Sequence, residues 1–274
     1  MSSTYNARSA TAYEHFMGRW SRQLSLRFVE FAGVSDGERI LDVGCGTGSL
    51  TRIMLESADV KSIVGVDLAD VYLESARQTI RDPRVDFKTG DATSLPFADN
   101  SFDRAFAMLV LHFVPDAKKA VGEMRRVVRS GGVVAATVWD GLGGMPALRL
   151  FWDAAATLGL ADGKVLRDFY FRPMTRPNEM LAAWSEAGLK SVQQASITIR
   201  FEYENFSDYW FPIAAGEAAL GKFALSLTPE QRAGLEAAVR NVYLGGEPDG
   251  PRSFAHDRLG LQRHRLSGSR FAAL

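Results

Sequence analysis

A chain of 274 residues is long enough for one well-buried α/β domain with additions and a little short for two ordinary ones. Lys plus Arg and Asp plus Glu both number 32, so there is no net basic field to hold a nucleic-acid substrate. Cys45 is the single cysteine, which excludes an internal disulfide and a cysteine zinc cage and fits a reducing cytoplasm.

The opening MSSTYNARSATAYEHF has no apolar core of the kind an export signal needs. From Ser9 the spacing predicts a helix, with Tyr13, Phe16, Met17, Trp20, Leu24 and Phe28 sharing one face. Ser35-Asp36-Gly37 turns the chain into a short apolar strand, Arg39 to Val43. Gly44, Gly46 and Gly48 follow at every second position, and Leu50, Ile53, Met54 and Leu55 then repeat at helical spacing. Strand, glycine turn, helix is the opening of a nucleotide-binding α/β unit. Glycine suits the turn because it tolerates positive φ and lets backbone N–H groups approach a ligand.

The apolar run Ile63 to Val66 is a second strand closed by Asp67, where a carboxylate can accept both hydroxyls of a ribose. A helix is expected over about 70–81, stopped by Pro83. The third strand, VDFKTGDA, ends in Asp91, with Leu95-Pro96-Phe97 beyond it; an acid there can accept from an adenine amine. A turn at 99–101 leads to a fourth strand expected over 102–111. Its apolar run AFAMLVLHFV is about half of what a membrane span requires and reads as a strand buried on both faces. Asp116 is a cap candidate for the next helix, and VVAATVW is the fifth strand.

After Gly141 the texture changes. Residues 145–175 read as an insertion holding the helix MPALRLFWDAAATLGL and the aromatic segment DFYFRPM. A helix with Pro177 early and Gly188 as its stop precedes the sixth strand, SVQQASITIRFEYE, whose alternation places it near a sheet edge. SDYWFPIAAG and two helical segments over 214–244 form a second addition. The tail, HDRLGLQRHRLSGSRFAAL, is rich in arginine and poor in β-branched residues, as after a change of reading frame near Ala255. No good seventh strand is therefore expected over 256–274. His256, Asp257 and His264 are not read as a catalytic or metal cluster, and no metal set is assigned.

The spacing of the glycines discriminates between ligands. A dinucleotide fingerprint needs G-x-G-x-x-G, but Ser49 stands where the third glycine would fall, and no P-loop lysine follows. ILDVGCGTG, GVD, GDATSLPF and SFDRAFAMLVLHFVPD, in this order and spacing, resemble the class I S-adenosylmethionine-dependent methyltransferases. The likeness is to the small-molecule subgroup that includes ubiquinone and menaquinone biosynthesis enzymes. It covers residues 10–140 closely and 170–225 loosely. It implies a doubly wound, mostly parallel, Rossmann-like sheet of the seven-stranded type with helical lid additions. In that family the last strand inserts antiparallel between the fifth and sixth. The implied organisation is an N-terminal helical lid (1–34), an S-adenosylmethionine-binding core (35–140), a helical insertion (141–176), the end of the core sheet (177–204) and a helical addition with the atypical tail (205–274).

The resemblance implies S-adenosylmethionine as cofactor, held by Gly44, Cys45, Gly46, Asp67, Leu68, Asp91, Ala92 and Met108. Asp42 would steady the turn and the donor amine, and Tyr13 would come from the N-terminal helix lying over the cleft. Methyl transfer from a sulfonium is an in-line displacement at an activated carbon. The protein's work is to hold the reactants close, which can supply up to ~7–11 kcal/mol, and to exclude water. His112 is the titratable group expected on the acceptor side, as the one general base. Trp20, Trp139, Tyr170 and Trp210 are candidates to roof an apolar acceptor, with the neighbouring Phe169, Phe171, Tyr209 and Phe211.

The chain lacks the D/N-P-P-Y/F element of base methylation, the paired glutamates of arginine methylation and the metal triad of catechol methylation. A small, partly apolar organic acceptor remains as the expected partner, with no nucleic acid and no membrane span; the oligomeric state is open. Two rival functions stand beside it. One is a domain that binds the donor without turnover, as a sensing or partner-binding module. The other is an NAD-dependent oxidoreductase, against which Ser49 and GDATSLPF argue.

Overall fold

The computed structural model describes residues 10–141 and 143–265, the last nine of these as backbone only. The N-terminal helix is expected as one piece and is found as three segments of different pitch: α1 (Ala10–Tyr13), a π-helical segment (Glu14–Gly18) and α2 (Arg19–Ala32). Trp20, Leu24 and Phe28 are buried along its inner stripe, as their spacing predicts. β1 (Arg39–Val43), α3 (Ser49–Ser57), β2 (Ser62–Asp67), α4 (Asp70–Thr79), β3 (Val85–Thr89), β4 (Phe102–Met108), α5 (Ala117–Val127) and β5 (Val128–Thr137) follow in alternation. Then come α6 (Pro146–Thr157), α7 (Gly163–Tyr170), α8 (Glu179–Glu186), β6 (Gln193–Tyr203), α9 (Phe206–Ala214), α10 (Ala218–Ser226), α11 (Pro229–Leu244) and β7 (Arg252–Arg265).

The seven strands form one sheet in the order β3-β2-β1-β4-β5-β7-β6. β1 to β5 are parallel, so the chain winds outward from β1 to β3 and returns to β4 on the other side. The reversal opens a crevice beyond the carboxyl ends of β1 and β4, where ligands bind in sheets of this kind. Side-chain alternation fills both faces. Ile40 and Phe106 point to the face covered by Phe28 and Ile53 of α2 and α3. Leu41, Val43, Ala105 and Ala107 point to the opposite face, covered by Val121 and Met124 of α5 and Trp184 of α8. The indole of Trp184 also donates to the carbonyl of Val134, which ties α8 to β5.

Two expectations are corrected. β4 stops at Met108 rather than at 111. Leu109 takes φ +62°, and Leu111–Phe113 coil into a single 3-10 turn. The chain thus leaves the sheet early and crosses the crevice, which no apolar count in AFAMLVLHFV could reveal.

The second correction concerns the tail. A seventh strand does form over 252–265, antiparallel between β5 and β6. Its register runs from Tyr203↔Arg252 to Gln193↔Arg263 on one side and from Ala136↔Gln262 to Val133↔Arg265 on the other. β5 and β6 each offer this segment a row of backbone donors and acceptors, and satisfying them outweighs its weak intrinsic β-preference. His256 is fully buried there, its ring stacked on Phe201 at 3.9 Å between centroids. Residues 266–274 lie outside the described residues. β6 takes the outer edge position that its alternation predicts.

Helices α6, α9, α10 and α11 pack over the end of β6 around an aromatic cluster. Phe151 and Trp152 of α6 meet Trp210 and Phe223 there, and the Tyr209 hydroxyl donates to the Ala147 carbonyl at 2.9 Å. α11 begins with a full capping box, Thr228 with Gln231. Arg19 donates to both oxygens of Asp208 at 2.9 and 3.0 Å, joining the N-terminal helix to this layer. Among the described residues, no helix is long and apolar enough to cross a membrane.

Candidate functional site

The glycine turn after β1 is pinned to the neighbouring strand: the N–H groups of Gly44 and Cys45 both donate to the Val66 carbonyl, at 2.7 and 3.1 Å. Gly44, Gly46 and Gly48 all have positive φ, the reason the sequence spends three glycines here. A side chain on Gly44 would strike Val110, whereas Gly46 has nothing within 4 Å of where a Cβ would stand. The backbone at Gly46 is therefore open to an incoming group.

Asp67 at the tip of β2 is tied to this turn. One carboxylate oxygen accepts from the Gly46 N–H at 2.9 Å, and the other from the Ala69 N–H at 2.8 Å. Each oxygen keeps a further lone pair for a hydroxyl. Burial pushes this carboxyl up from its usual range, and the backbone donors oppose the rise. Asp91, just past β3, accepts from both the N–H and the hydroxyl of Thr93.

These groups face one cavity of about 830 Å³, toward the upper end of the ~300–1,000 Å³ usual for ligand pockets. Of the residues predicted for the site, Tyr13, Gly44, Gly46, Asp67, Leu68, Asp91, Ala92, Met108, His112 and Trp139 all line it. The N-terminal helix reaches over it through Tyr13, Phe16 and Met17. It is held there by the Thr47 hydroxyl donating to Glu14 at 2.5 Å and by the Tyr13 ring against Tyr72 at 5.1 Å.

Five predicted residues do not line the cavity. Asp42 is buried beneath the turn, where it accepts from the Thr51 hydroxyl at 2.6 Å. Burial, opposed by Thr51 and reinforced by the charge of Asp67, pushes its carboxyl up to about 7. Cys45 turns away from the cavity into the cluster of Leu73, Ala76, Ile80 and Phe87, and burial raises its thiol well above the ordinary value. Trp20 stacks on Phe201 at 4.8 Å, and Trp210 stacks on Phe206 at 5.9 Å. Tyr170 packs edge-on to Phe169, which is the residue of that aromatic run that does reach the cavity.

The part of the wall that sequence reasoning missed comes from beyond β4: Val110, Phe113, Met145, Leu148, Arg172, Leu220 and Lys222. Tertiary placement alone brings them in, and neither period nor motif marks them. His112 is 2% exposed, and neither ring nitrogen has a hydrogen-bond partner. Burial, and then the nearby positive charge of Arg172, push it well below the usual histidine value, so it is a neutral imidazole on the cavity wall. Among the described residues, no group of three His, Cys, Asp or Glu could hold a metal ion.

The cavity therefore has two chemistries. Around the tips of β1, β2 and β3 it offers bare backbone and three carboxylates, Asp67, Asp70 and Asp91. Around the loop after β4 and the helical additions it offers apolar side chains, a neutral imidazole and two cations.

Comparison with known proteins agrees with this layout. Residues 41–136 match a family described as a methyltransferase domain. A demethylmenaquinone methyltransferase of Renibacterium salmoninarum is 39% identical over 114 residues, 42% of this chain and 45% of that protein. The chain thus spans under half the length of that relative. Among solved structures, phosphoethanolamine N-methyltransferase 2 of Haemonchus contortus in complex with S-adenosyl-L-methionine has a TM-score of 0.56 at 16% identity. The match covers 94% of this chain and 57% of that one. The [4+2]-cyclase SpnF has a TM-score of 0.54 at 21% identity, covering 90% and 81%. The fold is thus shared by proteins of more than one named activity. Residues 41–136, spanning β1 through β5, are thus similar to a methyltransferase domain, and the fold that carries them is the Rossmann-like methyltransferase fold.

Proposed function

We propose that this protein binds S-adenosylmethionine at the tips of β1, β2 and β3 and transfers its methyl group to a small, partly apolar organic acceptor. The observation that carries this reading is the union of Gly46, Asp67 and Asp91 on one cavity wall, with Asp67 already bonded to the Gly46 backbone. The residues suit the cofactor. Gly46 gives the open cradle, Asp67 has lone pairs left for two ribose hydroxyls, and Asp91 stands one strand further out beside Ala92 for the adenine end. Gly44 and Leu68 flank these groups, while Tyr13 closes over them. Met108 stands at the end of β4, between this end and the acceptor end.

When bound, S-adenosylmethionine supplies a methyl group on a sulfonium, already activated for displacement. The chain's own contribution is position and dryness. Trp139, Met145, Leu148 and Phe169 keep water from the acceptor end. His112, neutral and without a partner, is placed to accept a proton or hydrogen bond from the acceptor.

Calorimetric titration separates this reading from its oxidoreductase rival: adenosylhomocysteine binds and NAD does not. The reverse preference would refute the donor site. Transfer of a labelled methyl group across an acceptor panel then separates an enzyme from a binding module, which would hold the donor tightly and label nothing.

A further inference from the structure

We infer that the acceptor is an apolar organic acid whose carboxylate is received by the guanidinium of Arg172. The inference rests on the methyl-transfer reading above and names the acceptor class for that site.

Arg172 follows α7 in the bend Phe171-Arg172-Pro173, and its carbonyl accepts from both the N–H and the hydroxyl of Thr175, which fixes the turn. Its side chain lines the cavity with its guanidinium over two rings, 4.8 Å from the centroid of Phe113 and 5.7 Å from that of Phe169. Among the described residues it has no carboxylate within ion-pair distance. Arg104, Arg19 and Arg126, by contrast, each meet a carboxylate: Arg104 pairs with Glu38, Arg19 with Asp208, and Arg126 with Glu123 and Asp99. A cation taken from water into an aromatic pocket is costly unless a counter-charge meets it. Consistent with that cost, burial pushes the Arg172 guanidinium below its usual value.

The distribution of charge around the cavity points the same way. Its acids, Asp67, Asp70 and Asp91, all lie at or just beyond the ends of β2 and β3. Its cations, Arg172 and Lys222, both come from the helical additions. An anion entering the cavity is therefore attracted to one region and repelled by the other. Arginine, unlike lysine, presents a planar fork that matches a carboxylate in two parallel hydrogen bonds. The surrounding Phe113, Phe169, Met145 and Leu148 favour an apolar body on that carboxylate, and His112 remains for a second polar group of the same molecule.

The test uses matched probes on the full chain saturated with adenosylhomocysteine. These are naphthalene-2-carboxylate against 2-naphthamide, octanoate against octanamide, and 2-naphthyl phosphate. The expected result is that at least one acid binds about tenfold or more tighter than its amide, the scale of a charge-assisted pair. Arg172→Gln should erase that preference while leaving adenosylhomocysteine affinity unchanged, and Arg172→Lys should retain part of it. Equal or absent binding of acid and amide overturns the inference, as does a preference that survives Arg172→Gln or a tighter fit for the phosphate. Failure of adenosylhomocysteine to bind would instead refute the donor site, and the same comparison on the ligand-free chain would still decide the role of Arg172.

Discussion

The strand-tip half of the cavity and its helical half are built by different means. At the tips of β1 and β2, backbone does the shaping. Three positive-φ glycines and paired hydrogen bonds from Gly44 and Cys45 to Val66 fix the turn, and the Gly46 N–H to Asp67 carries that order to the side chain. In the helical half, side chains do the shaping. Phe151 against Trp210 and Phe223, with Trp152 against Phe223, hold α6, α9 and α10 together, and other residues of α6 and α10 face the ligand space. Backbone constraint leaves a mark in the sequence, since only certain residues tolerate it. Packing among aromatic groups leaves almost none, because many arrangements use the same residue types.

If the contrast is right, a large aromatic in the helical half can be removed at the cost of stability and not of donor affinity. Trp210→Ala should lose roughly 3–5 kcal/mol of unfolding free energy, the usual penalty for deleting a buried Trp. Its affinity for adenosylhomocysteine should stay within about twofold at a temperature where the variant is folded (a difference under ~0.5 kcal/mol). Denaturant unfolding with calorimetry on the same sample reads both. A large loss of affinity at small cost in stability would place Trp210 in the site and break the comparison.

The strand-tip half should show itself through pH. Asp42 keeps its proton up to about 7 in the folded chain, against 3.8 for an unperturbed carboxyl. The folded state therefore binds more protons than the unfolded state between those values, and this group makes stability fall as pH rises through that window. His112 has the opposite slope. Its folded value lies well below 6.5, so it costs stability as pH falls below 6.5. Asp42→Asn keeps an acceptor for Thr51 but cannot ionise. It should raise stability above pH 7 by up to about 4 kcal/mol, with the gain vanishing below pH 4. Urea titrations across pH 4–8 read the difference; a constant offset at every pH would show that Asp42 is not buried as a neutral acid.

What was legible follows the same line. Gly44, Gly46, Asp67 and Asp91 could be placed from letters because a glycine turn and strand-end acids have few other uses at that spacing. β1, β2, β4 and β5 follow from apolar runs, whereas VDFKT of β3 alternates with Asp86 and Lys88. Trp20, Tyr170 and Trp210 read as roof residues in the sequence and instead pack on Phe201, Phe169 and Phe206. An aromatic residue near a cleft looks the same in sequence whether it faces the ligand or the core. Nothing in the sequence marks Arg172, since one arginine beside FYF carries no period. The tail misled for a related reason. A central strand held by backbone bonds on both sides needs no β-branched residues of its own, so HDRLGLQRHR folds where composition argued against it.

The most direct measurement of the donor site is calorimetric titration of adenosylhomocysteine into the native chain and into Asp67→Ala, with thermal unfolding of both. The expected result is affinity weakened by roughly 1–3 kcal/mol in the variant, the cost of leaving buried ribose hydroxyls without an acceptor, together with a lower unfolding temperature because the Gly46 and Ala69 N–H groups lose theirs. Equal affinity in the two proteins would contradict the assignment of the β2 tip as the place where a ribose is held.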